Sequence, residues 1–95
     1  MALNGRFGEI NSIAIPANKE LLSSTGLIGA QTPEDTWPKI WKLGIQAEPG
    51  TRFIINGIEC VIGKTGIFEL DNVVTVLSLI FPDGADDTTI IDYVY

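Results

Sequence analysis

Ninety-five residues and 10.3 kDa suffice for one hydrophobic core and are too few for two, so residues 1–95 are expected to form a single domain. With 45% hydrophobic and 19% charged residues and a mean hydropathy of +0.26, the chain lies outside the composition range of disordered proteins. Six basic against twelve acidic residues give a formal charge of −6, which repels phosphate backbones and anionic membrane surfaces and argues against nucleic acid as a partner.

In chain order, Ile10 to Ile15 alternates and stops at Pro16, which predicts one strand. Ala2 to Ile15 is a candidate N-terminal arm laid on a neighbouring subunit. Asn18 to Leu22 can open a helical turn capped by Asn18, but Ser23, Ser24, Thr25 and Gly26 follow at once, so at most one short helix is expected in this half. Pro33 and Pro38 make residues 31–39 a connection, with Thr32 to Asp35 as a helix start. Ile40 to Ala47 reads as a strand with Trp41, Leu43 and Ile45 directed to the core, and Pro49-Gly50 turns it into the next region.

From Gly50 the turn signals recur at short intervals, the pattern of antiparallel sheets. Thr51 to Ile55 and Ile58 to Ile62 flank Asn56-Gly57, a dipeptide that tolerates positive φ at both central positions of a hairpin turn. Gly63 to Gly66 is a second turn, Ile67 to Leu70 a third strand, and Asp71-Asn72 a third turn. The apolar run Val73 to Phe81 is expected as a central strand covered on both faces, with Val74, Val76, Leu77 and Leu79 in the core. It is half as long as a bilayer span requires, so no membrane insertion is expected. Pro82 to Asp87 is an acidic loop, and Thr88 to Tyr95 is strand-like to the last residue. The sum is an all-β chain: an antiparallel sandwich or jelly-roll-like domain of about seven short strands.

Chemistry-bearing groups are sparse. The sequence has no histidine, which removes the usual general base, the Ser-His and Cys-His nucleophile systems and the commonest transition-metal ligand. Cys60 is the single cysteine, so no intrachain disulfide forms, and its apolar strand predicts a buried, inert thiol. Gly63-Lys64-Thr65 resembles a phosphate-binding loop only in part: the glycine required at position 58 is replaced by Ile58, and a strand follows instead of a helix. It reads as a turn, and no cofactor is expected. Asp83, Asp86 and Asp87 offer oxygen ligands for calcium without the spacing of a twelve-residue calcium loop. Trp37 is the candidate exposed aromatic for stacking a sugar ring or a proline-rich peptide. Ile13, Ile15, Ile91, Tyr93 and Tyr95, on strands read as sheet edges, are the candidate contacts to a second subunit.

The stretch Pro49-Gly50-Thr51-Arg52-Phe53-Ile54-Ile55-Asn56-Gly57, continued by Val61 to Leu70 and by Ile90-Ile91-Asp92-Tyr93-Val94-Tyr95, resembles a short module of structural proteins of tailed bacteriophages and prophages of Gram-positive bacteria. Within residues 49–95 the resemblance implies a β-rich folding and oligomerisation unit of a tail, baseplate or head-fibre and decoration type, with no catalytic residues. It implies a non-enzymatic virion structural protein made in the bacterial host cytoplasm, whose partners are copies of itself and other virion proteins. The competing expectation is a carbohydrate- or host-surface-binding module, calcium-assisted, built on Trp37 or on Asp83, Asp86 and Asp87.

Overall fold

The computed structural model describes residues 7–31, 40–70 and 75–95. Among them the order is β1 (Phe7–Ile10), a 3-10 turn (Gly29–Gln31), β2 (Lys42–Gln46), β3 (Arg52–Ile55), β4 (Ile58–Val61), β5 (Ile67–Leu70), β6 (Leu79–Ile80) and β7 (Ile90–Val94). All pairings are antiparallel, in a four-stranded sheet β1-β7-β2-β5 and a three-stranded sheet β4-β3-β6. The all-β, two-sheet architecture expected from the turn spacing is the one observed.

The register explains the core. Across the larger sheet, one inward row is Ile10, Ile91, Ile45 and Phe68, and the next is Gly8, Tyr93, Leu43 and Leu70. Strand alternation sends these side chains to one face and leaves Glu9, Asp92, Gln46 and Glu69 on the other. The smaller sheet presents Phe53, Ile55 and Leu79 to the same core. The two sheets meet where the Phe53 ring packs edge-on against Phe68 at 4.8 Å and beside Phe81 at 6.0 Å. Burying a phenylalanine of this kind contributes about 2–3 kcal/mol from apolar area, and each edge-to-face pair adds about 1 kcal/mol. Gly8 lets the Tyr93 ring lie over it: a Cβ there would come 2.3 Å from that ring, which would have to shift.

The β3–β4 hairpin forms as expected, with Asn56 at φ 49° and Gly57 at φ 82°, both values a two-residue turn needs to match strand twist. The turns at Pro49-Gly50 and at Gly63 to Gly66 are also formed, closed by Thr51 N–H to Glu48 O at 3.1 Å and Gly66 N–H to Gly63 O at 3.0 Å.

Four expectations are corrected. The N-terminal strand is Phe7–Ile10, not Ile10 to Ile15: Ser12 has φ 62°, which breaks the strand, and Ile15 returns as an isolated bridge to Ala85. Residues 7–10, assigned from sequence to an arm, pair with β7 of their own chain. The segment Asn18 to Leu22 is a pair of turns, not a helix. Finally, Val73 to Phe81 is not one long central strand: residues 71–74 lie outside the described set, Val76 makes a single bridge to Ile40, and only Leu79–Ile80 is a strand, beside β3.

That last difference has an identifiable cause. The Asn56 side chain accepts hydrogen bonds from Leu77 N–H at 2.8 Å and Ser78 N–H at 3.2 Å and donates to Thr75 O at 2.9 Å. A turn residue thereby takes over the backbone groups that a neighbouring strand would otherwise satisfy. From the other side, the Glu20 carboxylate accepts from Leu79 N–H at 2.8 Å, Leu22 N–H at 3.2 Å and the Ser78 hydroxyl, and Leu21 N–H donates to Leu79 O at 2.9 Å. The apolar run is thus pinned between two polar side chains.

Candidate functional site

Two interruptions of strand alternation decide what the surface offers. Ile40 and Leu43 are both buried, as are Val76 and Leu79. Each pair is three positions apart, whereas a regular strand returns to the same face every two. At the first, Trp41 N–H donates to Val94 O at 2.7 Å although Val94 is the register partner of Lys42. Two residues therefore oppose one, the arrangement of a β-bulge. At the second, Asn56 holds Leu77 and Ser78 in succession. The residues displaced outward are Trp41, 51% exposed, and Leu77, 53% exposed. Both were expected in the core, and the extra residue in each interval is why they are not.

The hydrogen-bond network puts these side chains at one end of the sandwich. Phe7 pairs with Val94, whose carbonyl receives Trp41; Ile40 bridges Val76; and Asn56, at the tip of the β3–β4 hairpin, holds Leu77. Ile58 begins β4 directly beyond that tip. Phe7 is 85% and Ile58 67% exposed. Phe7, Trp41, Leu77 and Ile58 therefore share an end, next to the half-buried Tyr95, whose ring lies 5.8 Å from that of Tyr93. Exposed apolar side chains gathered in this way mark an interaction surface more often than scattered ones do.

The opposite end, the polar end, carries the ion pairs, with Val61 and Ile67 also exposed there. Arg52 at the start of β3 reaches Glu59 at 3.3 Å and Asp83 at 3.0 Å, and the hydrogen bond and charge of Asp83, then the charge of Glu59, raise its pKa further above its already high ordinary value. Asp86 accepts from the Thr88 hydroxyl and from Thr88 N–H at 3.0 Å. Those two bonds stabilise the carboxylate and lower its pKa below the ordinary value.

The carboxylates read from sequence as calcium ligands are thus engaged separately, Asp83 by Arg52 and Asp86 by Thr88, with Asp87 exposed beside them. Among the described residues no three acidic or cysteine side chains group closely enough to hold a metal ion. Trp37 lies outside the described residues. Of the candidate contact residues, Ile13 is exposed, while Ile15, Ile91 and Tyr93 are buried within the subunit and Tyr95 is half-buried. β7 is not an edge strand: it lies between β1 and β2, so its backbone is already paired on both sides. Cys60 is half-buried against the core, not enclosed by it, with its thiol 3.8 Å from Ile58 O.

A shallow groove of about 660 Å³ crosses the outer face of the larger sheet, floored by Gly44 and bordered by Glu9, Asp92, Glu69, Lys42 and Phe7. It is partly open to solvent, and a side chain at Gly44 would meet only the Asp92 Cβ, at 3.9 Å. Comparison with protein-family models, with curated proteins and with solved structures finds no match to this chain.

Proposed function

We propose that this protein is a non-enzymatic assembly domain, a structural component of a bacteriophage virion that acts by docking to copies of itself and to other virion proteins. The observation that carries the reading is the apolar end formed by Phe7, Trp41, Leu77 and Ile58, 51–85% exposed, which a chain working alone in water has no reason to gather. The resemblance of residues 49–95 to a phage structural module supplies the virion part of the proposal. The sequence supports the non-enzymatic part, because without histidine an acid–base set would have to come from carboxylates or lysine.

Two measurements test it. Light scattering coupled to size exclusion should give a mass that is a multiple of 10.3 kDa, falling towards the monomer when Trp41→Ser and Leu77→Ser are combined. In particles purified from an induced lysogen that encodes the chain, mass spectrometry should find it in stoichiometric amounts; its absence from intact particles would refute the virion role.

A second reading, binding of a carbohydrate on the host surface, is favoured by the exposed Trp41 indole, since an indole face stacks on a sugar ring. Glycan-array binding abolished by Trp41→Ala, in a chain whose mass does not change, would select it.

A further inference from the structure

The described sheets end in β1 and β5 on one side of the sandwich and in β4 and β6 on the other, and an unpaired strand edge is a template for another strand. The edge of β6 is covered by the bridge from Glu20 to Ile80 and by the Glu20 carboxylate on Leu79 N–H. On β5 the Thr65 hydroxyl lies 3.4 Å from both the N–H and the carbonyl oxygen of Ile67, which occupies the outward-facing groups of that residue. β1 carries Glu9 directly opposite Asp92. β4 carries one such charge, Glu59, but Arg52 of the same chain partners it; it contains no lysine, proline or bulge, and Ile58, Glu59 and Val61 are all exposed.

The direction of its free groups follows from the ladder. Ile62 N–H donates to Thr51 O at 2.9 Å, so in the β3–β4 register Ile58, Cys60 and Ile62 turn their backbone groups to β3. Glu59 and Val61 turn theirs outward. A second β4 meeting this edge antiparallel across a two-fold axis has few registers open to it. An axis through position 59 sets Glu59 against Glu59 of the other copy, a like-charge pair that destabilises a sheet, and an axis through position 61 sets each Glu59 against Gly63, beyond the end of β4, whose carbonyl is already held by Gly66 N–H. An axis through position 60 sets each Glu59 against a Val61, forms a hydrogen-bonded pair on either side of the axis, and brings the two Cys60 residues opposite one another. The Glu59 charge is already partnered by Arg52 of its own chain, which lowers the cost of bringing the second copy near.

We propose that two copies of this chain associate through β4, joining their three-stranded sheets into one continuous six-stranded sheet with Cys60 on the two-fold axis. The proposal rests on the assembly reading in taking a second copy as the partner, but assigns it a different surface from the apolar end, with Ile58 common to both. Cys60 is then a reporter of register, because a non-hydrogen-bonded antiparallel pair has its Cα atoms about 4.5 Å apart, within the range of about 4.4–6.8 Å that a disulfide spans.

The test uses the full chain at about 100 μM, a concentration at which weak edge pairing is populated. Mild oxidation with diamide should give a disulfide-linked dimer that Cys60→Ser abolishes, and the unoxidised chain should show a mass that includes the dimer. Val61→Glu, at an exposed position beside Arg52, places glutamates opposite each other on both sides of the axis and should raise the dimer dissociation constant about tenfold, the effect of two like-charge pairs. Adding Glu59→Lys to Val61→Glu should restore it, since each new lysine then faces a new glutamate. Circular dichroism of each variant separates lost pairing from lost folding. An assembled chain that neither cross-links through Cys60 nor responds to Val61→Glu overturns the β4 proposal and leaves the assembly reading standing. A chain that stays monomeric throughout overturns both self-pairing and self-assembly.

Discussion

The two ends of the sandwich are closed by different physics. At the polar end Pro49-Gly50, Gly63 to Gly66 and Pro82 to Asp87 are each closed by hydrogen bonds between residues two or three positions apart, such as Thr51 to Glu48 and Thr88 to Asp86, and longer-range bonds such as Ile15 to Ala85 only tie the closed turns to the rest. At the apolar end the chain between Thr75 and Leu79 is held by side chains distant in sequence, Asn56 and Glu20. Local closure leaves strand alternation intact: Phe53 and Ile55, and Ile91 and Tyr93, return to the core at every second position. Remote closure inserts an extra residue, and Leu77 and Trp41 leave the core. The surface proposed for docking is thus a by-product of how that end is held.

The largest way to break this contrast is at Glu20. Its carboxylate serves Leu22 N–H, Leu79 N–H and the Ser78 hydroxyl in a half-buried site, and hydrogen bonds to a charged group contribute about 1.5–3 kcal/mol with donors left unpaired on its loss. Glu20→Ala is expected to cost about 3 kcal/mol in urea unfolding, with Glu20→Gln intermediate; a cost below about 0.5 kcal/mol would mean that solvent serves these donors as well. Next is Asn56. Asn56→Gly keeps the positive φ of the turn but removes the bonds to Thr75, Leu77 and Ser78, and should cost about 1–2 kcal/mol because the site is exposed. Asn56→Asp retains the acceptor and should lose less. If the glycine variant were as stable as the parent, Asn56 would be serving only the turn.

The same contrast separates what was legible in the sequence from what was not. The hairpin at Asn56-Gly57, the turn at Gly63 to Gly66 and the inward Leu43 and Ile45 of β2 follow from residue type and period, because both act over a few neighbouring positions. Trp41 has the same parity as Leu43 and Ile45, and no local signal marks the bulge that turns it outward. Its cause is the off-register bond to Val94, more than fifty positions away. The second role of Asn56 was hidden behind its first: a turn residue explains itself, and nothing in the sequence points to its amide reaching Leu77. The terminal strand read as a free edge for a similar reason. Pairing of β7 on both sides, by β1 and by β2, is long-range information that period does not contain. As for the candidate site, Ile13 alone of the contact residues named from sequence is exposed, while Phe7, Ile58 and Leu77 escape notice as surface residues because apolar character in a strand reads as core.

The two ends also differ in how they respond to pH. Near the apolar end, burial and then the neighbouring Tyr95 raise the Tyr93 phenol above its ordinary 10.0. The folded state therefore binds the proton more tightly than the unfolded state. That contribution is fully present below pH 10 and is lost as pH rises through the folded pKa. Urea midpoints followed from about pH 8 to about pH 11 should fall more steeply for the parent than for Tyr93→Phe, the difference isolating this phenol from the lysines that titrate in the same range. At the polar end the sign is opposite. The bonds from Thr88 hold Asp86 below its ordinary 3.8, so its contribution is present above that value and is lost as pH falls through the folded pKa. Asp86 is fully exposed, where solvent screening keeps such effects small, so the acid limb of Asp86→Ala should differ from the parent by less than the alkaline limb of Tyr93→Phe. The reverse ranking would mean that the acidic turn, not the aromatic end, is the more tightly coupled to folding.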